Sequence, residues 1–131
     1  MIFIDRSIPR AVAGALKQVR DDVRWLEDEF PHDVDEKTWL ADVGQRGWLV
    51  ISRDKKIRSR PGERKALTDA NVGCFIVTQK QPLSRLGYLK LLVASLDQLV
   101  ASLDQMEQVF GDTPRPFLFG VGRTGQLRRL D

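Results

Sequence analysis

The stretch Trp48–Arg60, WLVISRDKKIRSR, decides the fold and raises the question of function. Its first four residues, Trp48 to Ile51, are apolar without alternation, the pattern of a strand covered on both faces in a parallel sheet. Gly47, just before them, is a helix stop. The run then gives way to one carboxylate, Asp54, set among Arg53, Lys55, Lys56, Arg58 and Arg60. An acid at the exit of a buried strand, crowded by bases, is either neutralised by its neighbours or holds something that also needs them.

Working outward, the same grammar repeats. Ile2-Phe3-Ile4 is a short buried strand ended by Asp5, and Ser7 and Pro9 supply start signals for a helix over about 9–20 with Val12, Ala15, Leu16 and Val19 on one face. Residues 22–26 alternate as a second strand. Asp35 or Glu36 opens a helix carrying Trp39, Leu40 and Val43, which Gly47 ends before the third strand, Trp48–Ile51. A helix over about 61–70 stops near Asn71 and Gly73, and Cys74–Thr78 is a fourth buried strand. A long helix over about 83–110 follows, and the basic tail over about 115–130 forms a β-hairpin turning at Arg123-Thr124-Gly125. Strands alternating with helices predict a single α/β domain over 1–131, a mainly parallel central sheet between two helical layers, with a C-terminal β-hairpin.

The long helix contains the heptad LVASLDQ twice without change, at Leu92–Gln98 and Leu99–Gln105. Leu89, Leu92, Leu96, Leu99, Leu103, Met106 and Phe110 therefore keep 3-4 spacing. One reading is a seam for a homodimeric coiled coil. The other is a core-facing helix lengthened by two turns through duplication, which leaves the buried face in phase.

Charge is unevenly spread around a net +3. Residues 27–36 hold six acids and no Lys or Arg, whereas residues 53–65 hold seven bases against Asp54 and Glu63, and Arg115, Arg123, Arg128 and Arg129 add to the tail. Basic segments favour polyanions, nucleic acid first. The single cysteine, Cys74, excludes an intrachain disulfide and, with one histidine, His32, removes the usual zinc sites. A catalytic metal has to be held by oxygen ligands, hence Mg2+ or Mn2+. With no signal-peptide pattern at MIFIDRSIPR and no apolar run of about 18–20 residues, the expectation is a cytoplasmic protein without a membrane partner.

Ligands of open parallel sheets bind beyond the carboxyl ends of the strands. Asp5 and Asp54 both occupy that address, and neighbouring strands bring their carboxylates together. Glu36, or its neighbour Asp35, at the head of the second helix is the third acid. Like charges so close repel unless a cation joins them, and a divalent ion there polarises a phosphodiester. Each acid also has a structural reading: Asp5 as a helix cap, Asp54 as partner of the basic loop, Glu36 as first-turn chemistry at a helix dipole. Trp25, Trp39 and Trp48 fall in apolar patterns and read as core, Cys74 as an inert buried thiol, and His32 as an exposed loop residue.

The segments FIDRSIPRAVAGAL, DEKTWLADVGQRGWLVISRDKKIRSRPGERKAL and PFLFGVGRTGQLRRL resemble the PIN-like domains of the VapC-type toxin group, more closely its small PIN-like branch. RDKKIRSRP is the most specific part, and residues 79–110 the weakest. The resemblance implies a metal-dependent endoribonuclease, the toxin of a toxin–antitoxin pair, with an antitoxin protein as partner. It implies Asp5, Glu36 and Asp54 as catalytic metal ligands. Relatives usually carry Asp where Glu36 stands, which leaves Asp35 as its alternative; Asp69 is the candidate fourth acid by position. In this reading Arg6, Lys55, Lys56, Arg58 and Arg60 grip the RNA backbone, with guanidinium groups suited to bidentate phosphate contacts. Arg123, Arg128 and Arg129 extend that track or form a solvated tail. Two alternatives stay open: a non-catalytic RNA-binding module of the same fold, and a receiver-like phosphoacceptor domain, which also places acids after strands one and three and a Thr, here Thr78, after strand four.

Overall fold

The computed structural model describes residues 1–78 and 84–131. The described residues form a sheet of six strands, β1 (Ile2–Ile4), β2 (Val23–Trp25), β3 (Leu49–Ser52), β4 (Gly73–Val77), β5 (Phe117–Val121) and β6 (Leu127–Arg129), in the order β2-β1-β3-β4-β5-β6. The first five are parallel, and β6 returns antiparallel to β5 as the expected hairpin. The helices are α1 (Arg10–Lys17), α2 (Leu26–Glu29), α3 (Glu36–Arg46), α4 (Lys56–Ser59), α5 (Pro61–Asp69) and α6 (Arg85–Asp112). The expected start of the long helix at residue 83 lies outside the described residues.

Alternate residues of each strand face opposite layers, which makes the three-layer α/β sandwich visible in the burial pattern. Ile2, Ile4, Leu49, Ile51, Phe75, Val77, Phe117 and Val121 pack with Val12 and Leu16 of α1 and Leu99, Leu103 and Met106 of α6. Phe3, Val50, Cys74, Ile76 and Leu118 pack with Trp39, Leu40 and Val43 of α3, Ile57 of α4 and Leu67 of α5. Phe3 is fully buried, with ring centroids 5.3 Å from Trp39, 5.9 Å from Phe30 and 6.1 Å from Trp48. Truncating it to alanine costs about 3–5 kcal/mol. Trp25 and Trp39 are buried, and Trp25 Nε1 donates to Ile8 O at 3.0 Å.

The chain moves one way from β1 to β2 and the other way from β2 over β1 to β3, and so α1 and α3 lie on opposite faces, as same-handed crossovers require. The β3-to-β4 connection through α4 and α5 obeys the same rule. The β4-to-β5 connection does not: it advances in the same direction, yet α6 packs on the α1 face. This crossover has the hand opposite to the other three, and it leaves the other face of β4 and β5 without a helix of its own.

Several local expectations are corrected. Helix α1 stops at Lys17, so Val19 is 80% exposed, and no side chain caps its start because Pro9 holds the cap position while the Ser7 hydroxyl bonds Asp5. The basic loop folds into the extra turn α4, pinned by buried Ile57. Helix α3 ends where expected, with Gly47 at φ 71°, and the hairpin turns at Gly125 with φ 90°; both angles favour glycine. Helix α6 is core-facing along Leu99, Leu103 and Met106, as one reading of the repeat required, while Leu89 is exposed. It also corrects the hydropathy reading: Leu86–Asp112 is long and apolar enough to cross a membrane, with 33% of its most apolar window buried. Ser95, Ser102 and Gln98 are nonetheless buried against protein.

Candidate active site

Asp5 follows the last residue of β1, and its backbone N–H extends the ladder by donating to Ile51 O at 3.1 Å. Its carboxylate is 4% exposed and fully engaged. Oδ1 accepts from Ser7 N at 2.9 Å and from the Ser7 hydroxyl, and Oδ2 accepts from Ser52 Oγ at 2.6 Å. Those hydroxyls in turn accept from the next loop: Arg53 N donates to Ser7 Oγ at 2.8 Å and Asp54 N to Ser52 Oγ at 3.0 Å. Asp5 is thus the hub that ties the exit of β1 to the exit of β3 and sets where Asp54 stands. Burial pushes the Asp5 carboxyl above its ordinary range, opposed by the bonds from Ser52 and Ser7, with the Asp54 charge adding to the rise.

Asp54 is half-buried, and its Oδ1 accepts from Lys56 N at 2.9 Å, which starts α4. Asp35 caps α3, its Oδ1 accepting from Thr38 N at 2.7 Å, and this bond holds its carboxyl below the usual range. The cap turns the next residue, Glu36, into the cleft: Glu36 and not Asp35 lines it. This cleft of about 230 Å³ is also lined by Asp5, Arg6, Ser7, Leu26, Val34, Trp39 and Asp54. It lies at the carboxyl ends of β1 and β3, where the strand order reverses direction, the address at which doubly wound sheets bind ligands.

The acid that sequence reasoning passed over is Glu63. Pro61 sets the start of α5, and so Glu63 lies in its first turn, where one oxygen each from Glu36, Asp54 and Glu63 come within 4.8 Å of one another. Burial first, then the charges of Glu63, Asp54 and Asp5, push Glu36 up to about 7. Glu36 and Glu63 share a hydrogen bond only when one of them is protonated; otherwise Glu63 Oε2 is buried with no donor. An all-oxygen donor set of mutually repelling carboxylates, one with an orphaned oxygen, fits a hard divalent cation. Asp69, the acid expected by position, is six residues further along α5, about 240° around the helix, and pairs with Lys65 at 2.6 Å on the outside. The sequence signal for Glu63 was present, an acid inside a basic run just after a helix-starting proline, but the same signal also reads as ordinary first-turn chemistry.

The five basic residues expected at RNA separate in space. Arg6 lines the cleft, but its guanidinium donates to His32 O at 3.0 Å and Val34 O at 2.9 Å, holding the loop that leads into α3. Arg60 is beside the acids, 4.0 Å from Glu63. Lys55, Lys56 and Arg58 are exposed on α4, with Lys55 and Arg58 turned to a second groove. His32 is exposed and 2.6 Å from Glu27, and Cys74 is buried, its thiol pushed up by desolvation.

No curated protein and no solved structure matches the chain. A family model described as PIN like domain matches residues 1–79, which hold β1 to β4 and the acids Asp5, Glu36, Asp54 and Glu63 and stop before α6 and the hairpin. That match covers more than half of the sequence, and the chain belongs to the PIN-like domain family.

Proposed function

We propose that this protein is a Mg2+- or Mn2+-dependent endoribonuclease and the toxin component of a toxin–antitoxin pair, acting in the cytoplasm. The observation that carries the nuclease reading is the convergence of Glu36, Asp54 and Glu63 beside buried Asp5, with Glu63 Oε2 lacking a donor. PIN-like membership supports it, since the family has a nuclease-type fold and usually uses divalent metals. The same membership sets aside the receiver-like alternative. The toxin role, the VapC-type branch and an antitoxin partner rest on the resemblance of the RDKKIRSRP region.

Glu36, Asp54 and Glu63 would hold the cation, and Asp5 would fix Asp54 through Ser52. Bound there, the cation supplies Lewis-acid polarisation of the phosphoryl group and neutralises its charge. Arg60, adjacent to Glu63, is placed to hold the phosphate and oppose the charge that develops on it during attack. Trp39 and Leu26 wall the cleft with apolar surface, which strengthens these electrostatic contacts. Without a cation Glu36 titrates at about 7, and in the loaded site it would be ionised.

A non-catalytic RNA-binding module is the second reading, favoured by one observation: Asp5 has both oxygens committed to serines and stands outside the close trio. RNA cleavage in Mg2+ or Mn2+ separates the two, comparing wild type with Asp54→Asn and Glu63→Gln. Equal cleavage by all three overturns the proposed site, and RNA binding with no cleavage by the wild type establishes the module. Growth arrest on expression, abolished by Asp54→Asn, tests the toxin role separately.

A further inference from the structure

Beyond the acidic cleft, the same carboxyl edge of the sheet carries a larger groove of about 920 Å³, over the ends of β4 and β5. It opens on the face that α6 leaves uncovered by crossing on the α1 side. Its floor is Ile76, Gly120 and Leu130, and its walls carry Lys55, Arg58, Arg64 and Arg128. These four cations come from three separate places in the chain: the α4 turn, the outside of α5, and the returning strand β6.

Many bases elsewhere are tied to acids. Arg20 is held by Asp22 and Glu107, Lys17 by Asp28, Arg46 by Asp42, Lys65 by Asp69, and Arg129 by Asp131. Among the described residues, Lys55, Arg58, Arg64 and Arg128 have no carboxylate partner, and none lines the groove. Four like charges gathered without counter-charge repel one another, and a polyanion relieves this by displacing its own counterions. No aromatic ring lines the groove among the described residues either, so contacts there fall on the backbone and not on stacked bases.

We infer that this groove binds the sugar-phosphate backbone of single-stranded RNA flanking the bond presented to the acidic cleft, by phosphate contacts that do not choose sequence. Lys55 adjoins Asp54 in the chain, and so the two sites meet at the head of α4. Strands about 4.8 Å apart put β5 roughly 10 Å from β3, close enough for neighbouring phosphates of one strand to occupy both. The inference rests on the nuclease reading for what lies at the cleft, but its test reads binding alone.

Binding of a fluorescein-labelled 12-nucleotide oligouridylate is measured by anisotropy in EDTA, across a range of salt. Arg64→Gln/Arg128→Gln is expected to flatten the slope of log K against log salt by about 1.4, some 0.7 for each lost phosphate contact on a single strand. Arg64→Lys/Arg128→Lys keeps the charges and is expected to keep the slope, and thermal melting checks that all three proteins are folded. An unchanged slope in the Gln variant overturns the groove, while cleavage lost in Asp54→Asn alone leaves the nuclease reading standing. Arginine-dependent binding in a wild type that cuts no RNA supports the groove and removes the nuclease. Polyglutamate binding with equal affinity and the same arginine dependence overturns the commitment to RNA.

Discussion

The acidic cleft and the basic groove occupy neighbouring stretches of one sheet edge, and each gathers charges of one sign. In the cleft, Glu36, Asp54 and Glu63 are pressed together and half-buried, and Glu36 is pushed up to about 7 in consequence. In the groove, Lys55, Arg58, Arg64 and Arg128 stand without acids. Elsewhere many charges are paired, as Arg20 is with Asp22 and Glu107. Like charge gathered in both places is what a site for a cation and a polyanion requires.

The largest effect that sharpens this contrast is on chemistry. Asp54→Asn is expected to lower Mg2+-dependent RNA cleavage by about 10³-fold, several kcal/mol of transition-state stabilisation, with its fold stability kept or improved because repulsion in the cleft falls. Asp5→Asn is expected to lower cleavage and also to destabilise the fold by about 1–3 kcal/mol, since it replaces an acceptor buried among serine donors. Single-turnover cleavage and urea unfolding in EDTA, run on both variants, separate ligand from hub; equal stability of the two breaks that distinction.

The groove is braced from behind. Gln98 Nε2 donates to Val121 O at 2.9 Å and Gly122 O at 2.7 Å, and both of those residues line the groove. Gln98→Ala is expected to cost about 1–3 kcal/mol in urea unfolding through the two lost side-chain hydrogen bonds, although Val121 O keeps Thr78 N and Gly122 O keeps Gly125 N as donors. Gln105→Ala, at the matching position of the second heptad, is exposed and is expected to change stability by less than about 0.5 kcal/mol.

The cleft, unlike the groove, makes stability depend on pH. Glu36 titrates near 7 in the fold against 4.5 when unfolded, so between those values the folded state keeps a proton that the unfolded chain has lost. Stability therefore falls as pH rises from 4.5 through 7. Partial exposure screens the effect to on the order of 1–2 kcal/mol. Thermal melts from pH 5 to 8 in EDTA check the sign; saturating Mg2+ flattens the fall, because cation binding favours the ionised carboxylates. Near the cleft the effect of Arg6 is small: Arg6→Ala frees the carbonyls of His32 and Val34 and is expected to cost about 1 kcal/mol, visible as faster amide exchange over residues 32–36.

Much of the scaffold was legible because strands and their exits leave strong marks. Unbroken apolar runs at Ile2–Ile4 and Leu49–Ile51 name buried parallel strands, and Asp5 follows the first directly and Asp54 the second after Ser52 and Arg53. Glycine at Gly47 and Gly125 marks positive φ. The α4 turn was not legible, since KKIR offers one apolar residue and no period. Glu63 was hidden because an acid in a first turn has a sufficient local reason to be there. Asp5 looked like a metal ligand or a cap, and only the approach of Ser52 from β3 makes it a hub.

The two LVASLDQ heptads state the division most directly. Their seven residues are identical, and the sequence by itself determined that both present Ser and Leu to the core at helical phase, because a seven-residue period restores the same face. Only the tertiary structure decided that Gln98 is buried against β5 while Gln105 faces solvent, because the sheet edge lies beside one and not the other. The same holds for the site. Pattern determined which strands form and that acids stand at their exits. Strand order, the hand of the β4-to-β5 crossover and the fold-back of α5 decided which charges meet, because these are set by packing between segments far apart in the chain.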